Sequence, residues 1–438
     1  MEFSKVLQMC LLRLSTLRST VLILRNKFIF AVSILVVLIL GNHVPVYPAD
    51  NHANHGTQVP VQNEKKDNIE YDEASGSYAE QIMAYCQGGN EHCPAISLDE
   101  LNKTASRQDV LRTFSDLNLL HDKRDHSCHH VGHHLGSWLY NYTGDLKEAL
   151  NYASLYCGGS NYHGILISYF EDEYPVQNVD KYQIRVAHLC PIDQENINWM
   201  HERDCFHGIG HGLTKLYNYN TTAAVSHCDE FIRLWAQSAC ARGVFMENND
   251  YFIQTGKGDF DKKRIYSPCD KTIEKFATQC YYTYPRHLLE PNNYSFESYE
   301  DTFALCDNIS PEKFVKYCYD GIGRSLAYVG FRNPEEAIKI CYQGNQPAYY
   351  NDCLTGTVKP MLKQDANTGP AFKFCSLTDI DFRSECHKIV GTWIKAFLNP
   401  NLQELERECS KTPEIDYVTD CMNASEETNV QASVLEPM

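Results

Sequence analysis

From about residue 77 to about residue 425, apolar residues recur at the three- and four-residue spacing of amphipathic helices. No stretch alternates apolar and polar residues over a length that would predict a strand. The pattern therefore predicts an all-α protein whose helical region covers most of the chain.

The signals for helix starts and ends are clearest between Ser310 and Gly344. A first helix is predicted to begin at Ser310-Pro311, because the serine hydroxyl can cap it and proline suits its first position. Asn333-Pro334 starts a second, shorter helix, which is predicted to stop near Cys341, with Gly344 as its terminator. The segment is predicted to be an αα-hairpin.

Aligning such hairpins on a residue inside each first helix gives anchors at steps of 33 to 44 residues, near the length of a two-helix solenoid repeat. The anchors are Cys128, Asn161, Cys205, Cys240, Cys280, Cys318, Cys353 and Cys386. Thr412-Pro413-Glu414 starts a further helix that suits a terminal cap. We expect a right-handed αα-hairpin solenoid of about eight repeats over residues 128–425, preceded by N-terminal cap helices over 78–127.

Cysteine spacing predicts how the repeats are stapled. Of the 19 cysteines, 18 lie in the helical region, an even number that suits disulfides in an oxidising compartment. One register joins the end of each second helix to the next first helix: Cys86–Cys93, Cys128–Cys157, Cys190–Cys205, Cys228–Cys240, Cys269–Cys280, Cys306–Cys318, Cys341–Cys353, Cys375–Cys386 and Cys409–Cys421. A rival register begins with Cys205–Cys228, and spacing alone leaves both open.

This repeat length and cysteine spacing resemble the Sel1-like branch of the tetratricopeptide class, in which some secreted members carry a disulfide in each αα repeat. The resemblance covers residues 128–425 and implies the architecture. It carries over no functional residue.

The run from Phe28 to Leu40 is apolar and uncharged, and it follows a basic segment, residues 1–27. It is close in length to a signal-peptide core and shorter than the ~20 apolar residues of a full membrane span. Two interpretations stay open: a signal anchor over 28–41 that leaves residues 1–27 cytoplasmic, or a cleaved signal peptide of a secreted protein. A polar linker over 42–77 and a disordered tail over 426–438 complete the predicted organisation.

The net charge limits the possible partners, and the glycosylation signals agree with export. The net charge is −17, and the basic start of the chain leaves the helical region more acidic still. An acidic body argues against nucleic-acid binding, which needs lysine and arginine to neutralise phosphates. N-glycosylation sequons occur at Asn102, Asn141, Asn220, Asn293, Asn308 and Asn423, in stretches predicted to be loops or termini.

Equivalent positions of a stacked repeat form a continuous stripe, so residues at one offset from the anchor should share a face. Positions two and six places after the anchor lie on one helix face because they are four residues apart. In the first three repeats these positions hold His130, His134, His163, His207 and His211. In the later repeats five of the ten such positions hold a cation, which could line a groove for an anionic ligand: Arg242, Arg286, Arg324, Lys359 and Lys388.

Histidines at i and i+4 can bind one metal ion from one helical face, so the five column histidines predict a site for Zn, Cu or Fe. His129 and His133 form another such pair, rotated by about 100° on the same helix, and the sequence leaves open that they are the ligands instead. Two other roles compete for the whole set: packing residues in helix interfaces, and a pH-sensing or anion-binding surface.

Glycine recurs three places after the anchor, at Gly164, Gly208, Gly243, Gly321 and Gly356. Inside a helix each costs about 1 kcal/mol relative to alanine. The recurrence therefore predicts close helix packing, with close approach of a ligand as the alternative.

Two functions remain after these steps. The first is an exported, membrane-tethered metalloprotein with its histidine site in the first three repeats. The second is an extracytoplasmic scaffold with structural histidines that binds a protein or glycan on the concave face of the solenoid. The absence of the H-E-x-x-H pattern disfavours a metalloprotease of that kind. Whether the protein is an enzyme stays open, and candidate general bases are Glu171, Asp172, Glu173 and Glu247.

Overall fold

A computed structural model describes residues 77–87, 90–124, 128–174, 184–190, 199–261, 263–364, 368–398 and 401–424. They belong to the second of two contact units, Pro60–Met438. The predicted signal segment, almost all of the polar linker and the tail lie outside the described residues. Within these ranges every regular element is helical, and none of the helices is long and apolar enough to cross a membrane.

The longer helices are α3 (Arg107–Arg124), α4 (His129–Thr143), α6 (Ser160–Glu173), α7 (Trp199–Leu216), α9 (Leu234–Thr255), α10 (Glu274–Leu289), α12 (Val315–Arg332), α14 (Tyr350–Gln364) and α16 (Ile380–Leu398). The shorter helices are α1 (Tyr78–Tyr85), α2 (Cys93–Leu101), α5 (Leu146–Tyr152), α8 (Thr221–Ser226), α11 (Phe296–Asp307), α13 (Pro334–Cys341), α15 (Gly369–Leu377), α17 (Leu402–Cys409) and α18 (Val418–Met422). The predicted start at Asn333-Pro334 is confirmed, since the Asn333 side chain accepts a hydrogen bond from the backbone N–H of Glu336.

Each of the longer helices from α4 onward packs against the next longer helix, and each shorter helix between them packs on both. Helices remote in sequence also meet, because α14 contacts residues 156–159 and α16 contacts α7. The core is a continuous set of buried apolar and aromatic side chains that runs from Ala79 to Cys421.

Glycines let the longer helices approach at backbone distance. A Cβ added to Gly243 on α9 would lie 2.0 Å from the carbonyl oxygen of His207 on α7. In the reverse direction, a Cβ on Gly210 would lie 2.1 Å from the carbonyl oxygen of Cys240. The other column glycines, Gly164, Gly208, Gly321 and Gly356, meet neighbouring carbonyl oxygens in the same way. Close helix packing, the first of the two predicted causes, therefore explains the column.

The disulfides follow the first of the two predicted registers. The pairs are Cys86–Cys93, Cys128–Cys157, Cys190–Cys205, Cys228–Cys240, Cys269–Cys280, Cys306–Cys318, Cys341–Cys353, Cys375–Cys386 and Cys409–Cys421. From Cys228 to Cys386 each pair joins a shorter connecting segment to the next longer helix, and the last pair joins the short helices α17 and α18. Closing a loop of such length contributes roughly 3 kcal/mol in the chain-entropy model.

His287 on α10 makes the stability of this region depend on pH. The ring is buried against Phe252, Phe260 and Tyr284, and desolvation lowers its pKa from 6.5 to about 4. The unfolded chain takes up a proton below pH 6.5, whereas the folded state does so only near pH 4. Acidification through this window should therefore remove about 3 kcal/mol of stability through this group, and His287→Leu should abolish that part.

Urea unfolding of the wild-type chain and the His287→Leu variant at pH 7 and pH 4.5 measures this effect. The exposed His188 provides the control, and His188→Leu is measured in the same way because it removes an imidazole that packing does not bury. An equal loss of stability on acidification in wild type and His287→Leu would contradict the assignment.

Candidate metal centre

Five imidazole rings from α4, α6 and α7 lie together and form what we call the histidine cluster. Its members are His129, His133, His163, His207 and His211. Neighbouring ring centroids lie 4.3 to 5.8 Å apart. The cluster contains two groups of three histidines, and in each group one nitrogen atom per ring lies within 4.8 Å of the others.

The helix packing explains why these rings meet. His129 and His133 share one face of α4, and His207 and His211 share one face of α7, because each pair is separated by four residues. Helix α6 packs against both α4 and α7, and it places His163 between the two pairs.

The first group, His163, His207 and His211, is fully buried, with 1%, 4% and 0% of each residue exposed. The Nε2 atoms of His207 and His211 lie 3.3 Å apart. Two nitrogen ligands of a tetrahedral zinc ion at 2.0–2.1 Å would be separated by about 3.3 Å. The spacing therefore matches one edge of a metal coordination tetrahedron.

The second group, His129, His133 and His163, has the same spacing. The Nε2 atoms of His129 and His133 lie 3.3 Å apart, and Nδ1 of His163 lies 3.0 Å from Nε2 of His133. His163 is thus the member that the two groups share.

Three of the rings are oriented by hydrogen bonds to groups outside the cluster. His129 donates its Nδ1–H to the carbonyl oxygen of Cys157 at 3.0 Å. In the same way His207 donates to the carbonyl oxygen of Ala239 at 3.1 Å, and His211 donates to Oε2 of Glu247 at 2.8 Å. Carbonyl and carboxylate oxygens only accept hydrogen bonds, so in a neutral ring the Nε2 atom keeps its lone pair. Outer partners of this kind are typical of metal-binding histidines.

Burial keeps His129, His133, His163 and His207 uncharged near neutral pH. Desolvation, reinforced by the neighbouring imidazoles, lowers the pKa of His129 to about 3 and lowers those of His133, His163 and His207 well below 6.5. Neutral imidazole is the form that binds metal ions, so the nitrogen lone pairs are available at pH 7.

Two of the five predicted ligands, His130 and His134, lie outside the cluster. The ring of His134 packs at 3.8 Å on that of His92, and its Nε2 atom lies 3.2 Å from Oε1 of Glu91. The ring of His130 lies 6.2 Å from that of His129. The structure thus places His129 and His133, the other i, i+4 pair of α4, in the histidine cluster.

The reason is a shift of register in the first predicted repeat. A Cβ on Gly136 would lie 2.2 Å from the carbonyl oxygen of the next anchor, Asn161. A Cβ on Gly210 would likewise lie 2.1 Å from the carbonyl oxygen of the next anchor, Cys240. Gly136 therefore corresponds to Gly210, five places after an anchor, and the anchor is Val131 rather than Cys128. In that register His133 is aligned with His163 and His207. A sequence signal for it exists, because residues 133–136 read HHLG and residues 207–210 read HGIG.

The four residues predicted as candidate general bases lie in two different environments. Glu247 is buried and holds His211, so it orients a ring instead of facing an open space. Glu171, Asp172 and Glu173 are exposed at the end of α6, where Asp172 accepts a hydrogen bond from the Tyr140 hydroxyl.

The cations predicted to line a groove lie largely within the helix packing. Arg242 donates to Oε1 of Gln279, Arg286 pairs with Asp250 and Glu290, Lys359 lies 3.5 Å from Asp320, Arg324 contacts Sδ of Met246, and Lys388 is partly buried. Four of these five side chains therefore meet protein groups within the helix packing.

All six sequon asparagines are exposed: Asn102, Asn141, Asn220, Asn293, Asn308 and Asn423. Asn141 lies in the last turn of α4, whereas the prediction placed it in a loop. The other five flank helices, as expected for accessible attachment points.

The chemistry open to the cluster follows from its donor atoms. Neutral imidazole nitrogens suit borderline ions such as Zn, Cu and Fe, whereas Mg and Ca prefer oxygen ligands.

Comparison of the chain with protein-family models, with curated proteins and with solved structures found no match.

Proposed function

We propose that this protein is an exported metalloprotein that binds a transition-metal ion, Zn, Cu or Fe, at the histidine cluster. His163, His207 and His211 form the buried ligand set, and Glu247 fixes the ring of His211. The single observation that carries the proposal is the face-to-face arrangement of two Nε2 lone pairs.

His207 and His211 both donate their Nδ1–H group to an acceptor outside the cluster. Their Nε2 atoms nevertheless lie 3.3 Å apart, so two neutral rings place two lone pairs against each other with no hydrogen between them. A cation between the two atoms resolves this conflict. Burial lowers the pKa of His207, which disfavours a proton on that ring, and a metal ion is the cation that we propose.

A purely structural role fits these rings less well. Buried polar atoms in native proteins are nearly always hydrogen-bonded, and an unpaired one costs about 1–3 kcal/mol. The Nε2 atom of His163 is buried and has no hydrogen-bond partner. A bound ion within the cluster satisfies the nitrogen atoms that packing leaves unpaired.

We further propose that the centre is carried by a right-handed αα-hairpin solenoid of about eight repeats, supported by the recurring glycine contacts and the disulfide spacing. The nine disulfides fit an extracytoplasmic compartment. In this proposal residues 28–41 tether the chain to the membrane, and the exposed sequons carry glycans.

Metal analysis of the purified full-length chain tests the proposal. We expect at least one equivalent of Zn, Cu or Fe per chain by inductively coupled plasma mass spectrometry, and a loss of at least one equivalent in a His207→Gln/His211→Gln variant. His188→Gln, on an exposed histidine, should retain the metal. Substoichiometric metal that the double substitution leaves unchanged would refute the metal centre.

Glu247 gives a finer prediction about affinity. Glu247→Gln removes the carboxylate that accepts the Nδ1–H of His211, and loss of such an outer partner typically lowers metal affinity 10- to 100-fold. Competition with a chromophoric chelator measures the change. Glu290→Gln is the matched control, because Glu290 pairs with Arg286 outside the cluster. Equal affinities for the two variants would contradict the orienting role of Glu247.

A further inference from the structure

We propose that the histidine cluster holds two metal ions and that the imidazolate ring of His163 bridges them. This inference rests on the proposed function, that is, on metal binding by the cluster, and it adds the number of ions and the shared ligand.

The position of His163 is the first observation. Its Nδ1 atom faces His133, at 3.0 Å from the Nε2 atom of that ring. Its other nitrogen, Nε2, is buried without a hydrogen-bond partner, and a ring nitrogen of His163 lies within 4.8 Å of one nitrogen each of His207 and His211. The two nitrogens of an imidazole point in diverging directions, so they serve two different ions rather than one.

The pairing of the other four rings is the second observation. Helix α4 presents the Nε2 atoms of His129 and His133 at 3.3 Å, and α7 presents those of His207 and His211 at 3.3 Å. Each pair has the edge length of about 3.3 Å that two imidazole ligands of one tetrahedral ion require. Adding one nitrogen of His163 to each pair gives two sets of three ligands.

The outer hydrogen bonds are consistent with two equivalent half-sites. In the α4 set, His129 is fixed by the carbonyl oxygen of Cys157. In the α7 set, His207 is fixed by the carbonyl oxygen of Ala239 and His211 by Glu247. Each half-site thus has at least one ring whose Nδ1–H is donated outward and whose Nε2 lone pair is free for an ion.

The proton balance of bridging is simple. Neutral His163 carries one ring proton; the first ion takes the unprotonated nitrogen, and the second replaces the remaining proton, which leaves to water. No oxidant or reductant is involved. The resulting imidazolate charge and the carboxylate of Glu247 offset part of the charge of two divalent ions.

The donor set also indicates the class of metal. The proposed ligands are six nitrogen atoms from five imidazoles, with no carboxylate among them. They favour Zn or Cu over Fe or Mn, because di-iron and di-manganese centres are rich in carboxylate ligands. Three protein ligands per ion leave one tetrahedral position open to water or a small ligand, as in catalytic zinc sites.

Copper loading of the full-length chain tests the bridge. The chain is incubated with Cu(II), freed of excess ion by gel filtration, and measured for copper content and for electron paramagnetic resonance. We expect two coppers per chain with far fewer than two detectable spins, because a bridging imidazolate couples the two ions antiferromagnetically.

The variants separate the possible outcomes. His129→Gln/His133→Gln should keep one copper with a full spin, and His163→Gln should abolish the coupling; circular dichroism establishes that each variant is folded. One copper in the wild-type chain, unchanged in His129→Gln/His133→Gln, would overturn the bridge and preserve the single site. Two coppers with two full spins would also overturn it. No bound copper, together with no native metal, would overturn the proposed function itself.

Discussion

A Gly243→Ala substitution is expected to destabilise the protein by more than about 4 kcal/mol, the range reserved for severe core defects. The added methyl group would lie 2.0 Å from the carbonyl oxygen of His207 and 3.1 Å from the Cα atom of Gly210. Both contacts are with the backbone of α7, which cannot move away as the end of a side chain can. Helices α7 and α9 would have to separate, and the residue whose carbonyl is struck also carries a ring of the histidine cluster.

Urea unfolding followed by circular dichroism measures the effect, and Gly256 supplies the control. Gly256 has a φ of +67° and no atom within 4 Å of its added Cβ, so Gly256→Ala tests backbone conformation without a clash. It should cost only about 1 to 2 kcal/mol, the left-handed penalty of an ordinary residue. Similar losses in the two variants would show that helix contact is not what requires glycine at position 243.

Much of the fold was readable because its signals are local. The capped start at Asn333, the proline after it and the cysteine spacing of 11 or 12 residues each report on a short piece of chain. The disulfide register also depended on Asn161, the anchor without a cysteine, which left Cys157 as a partner for Cys128.

The choice of histidines on α4 failed because Cys128 does not correspond to the later anchor cysteines. Cys205 and Cys240 lie inside α7 and α9, whereas Cys128 only precedes α4 and pairs forward with Cys157. Alignment on Cys128, which lies at a different structural position from the later anchor cysteines, shifted the first repeat by three residues. The glycine of HHLG and HGIG is the better marker, because helix contact fixes its position in space.

Other features of the site depend on tertiary structure alone. The carbonyl oxygens of Cys157 and Ala239 select which nitrogen of His129 and His207 faces inward, and a backbone acceptor has no signature in the sequence. The pairing of Arg286 with Asp250 is equally hidden, since neither residue type reveals which way its side chain points. The sequence identified the helices that carry the site, and the packing selected the atoms.

The Cys128–Cys157 disulfide is expected to link the stability of the fold to the proposed metal centre, and a pair of cysteine variants can separate the two effects. Cys128→Ser/Cys157→Ser opens a loop of 29 residues, and Cys409→Ser/Cys421→Ser opens one of 12 residues. In the chain-entropy model these losses lower the free energy of unfolding by about 3.5 and about 3 kcal/mol, so the two variants should be destabilised to a similar degree.

Their metal contents should differ. The carbonyl oxygen of Cys157 accepts the Nδ1–H of His129 at 3.0 Å, and Cys128 immediately precedes His129 at the start of α4. Releasing this link frees the ring of His129, so the chain should bind one copper instead of two, with the ion of His207 and His211 retained. The control pair joins α17 to α18, which carry none of the cluster residues, and should keep both ions. Equal copper contents in the two folded variants would mean that the disulfide staples the chain without ordering the site.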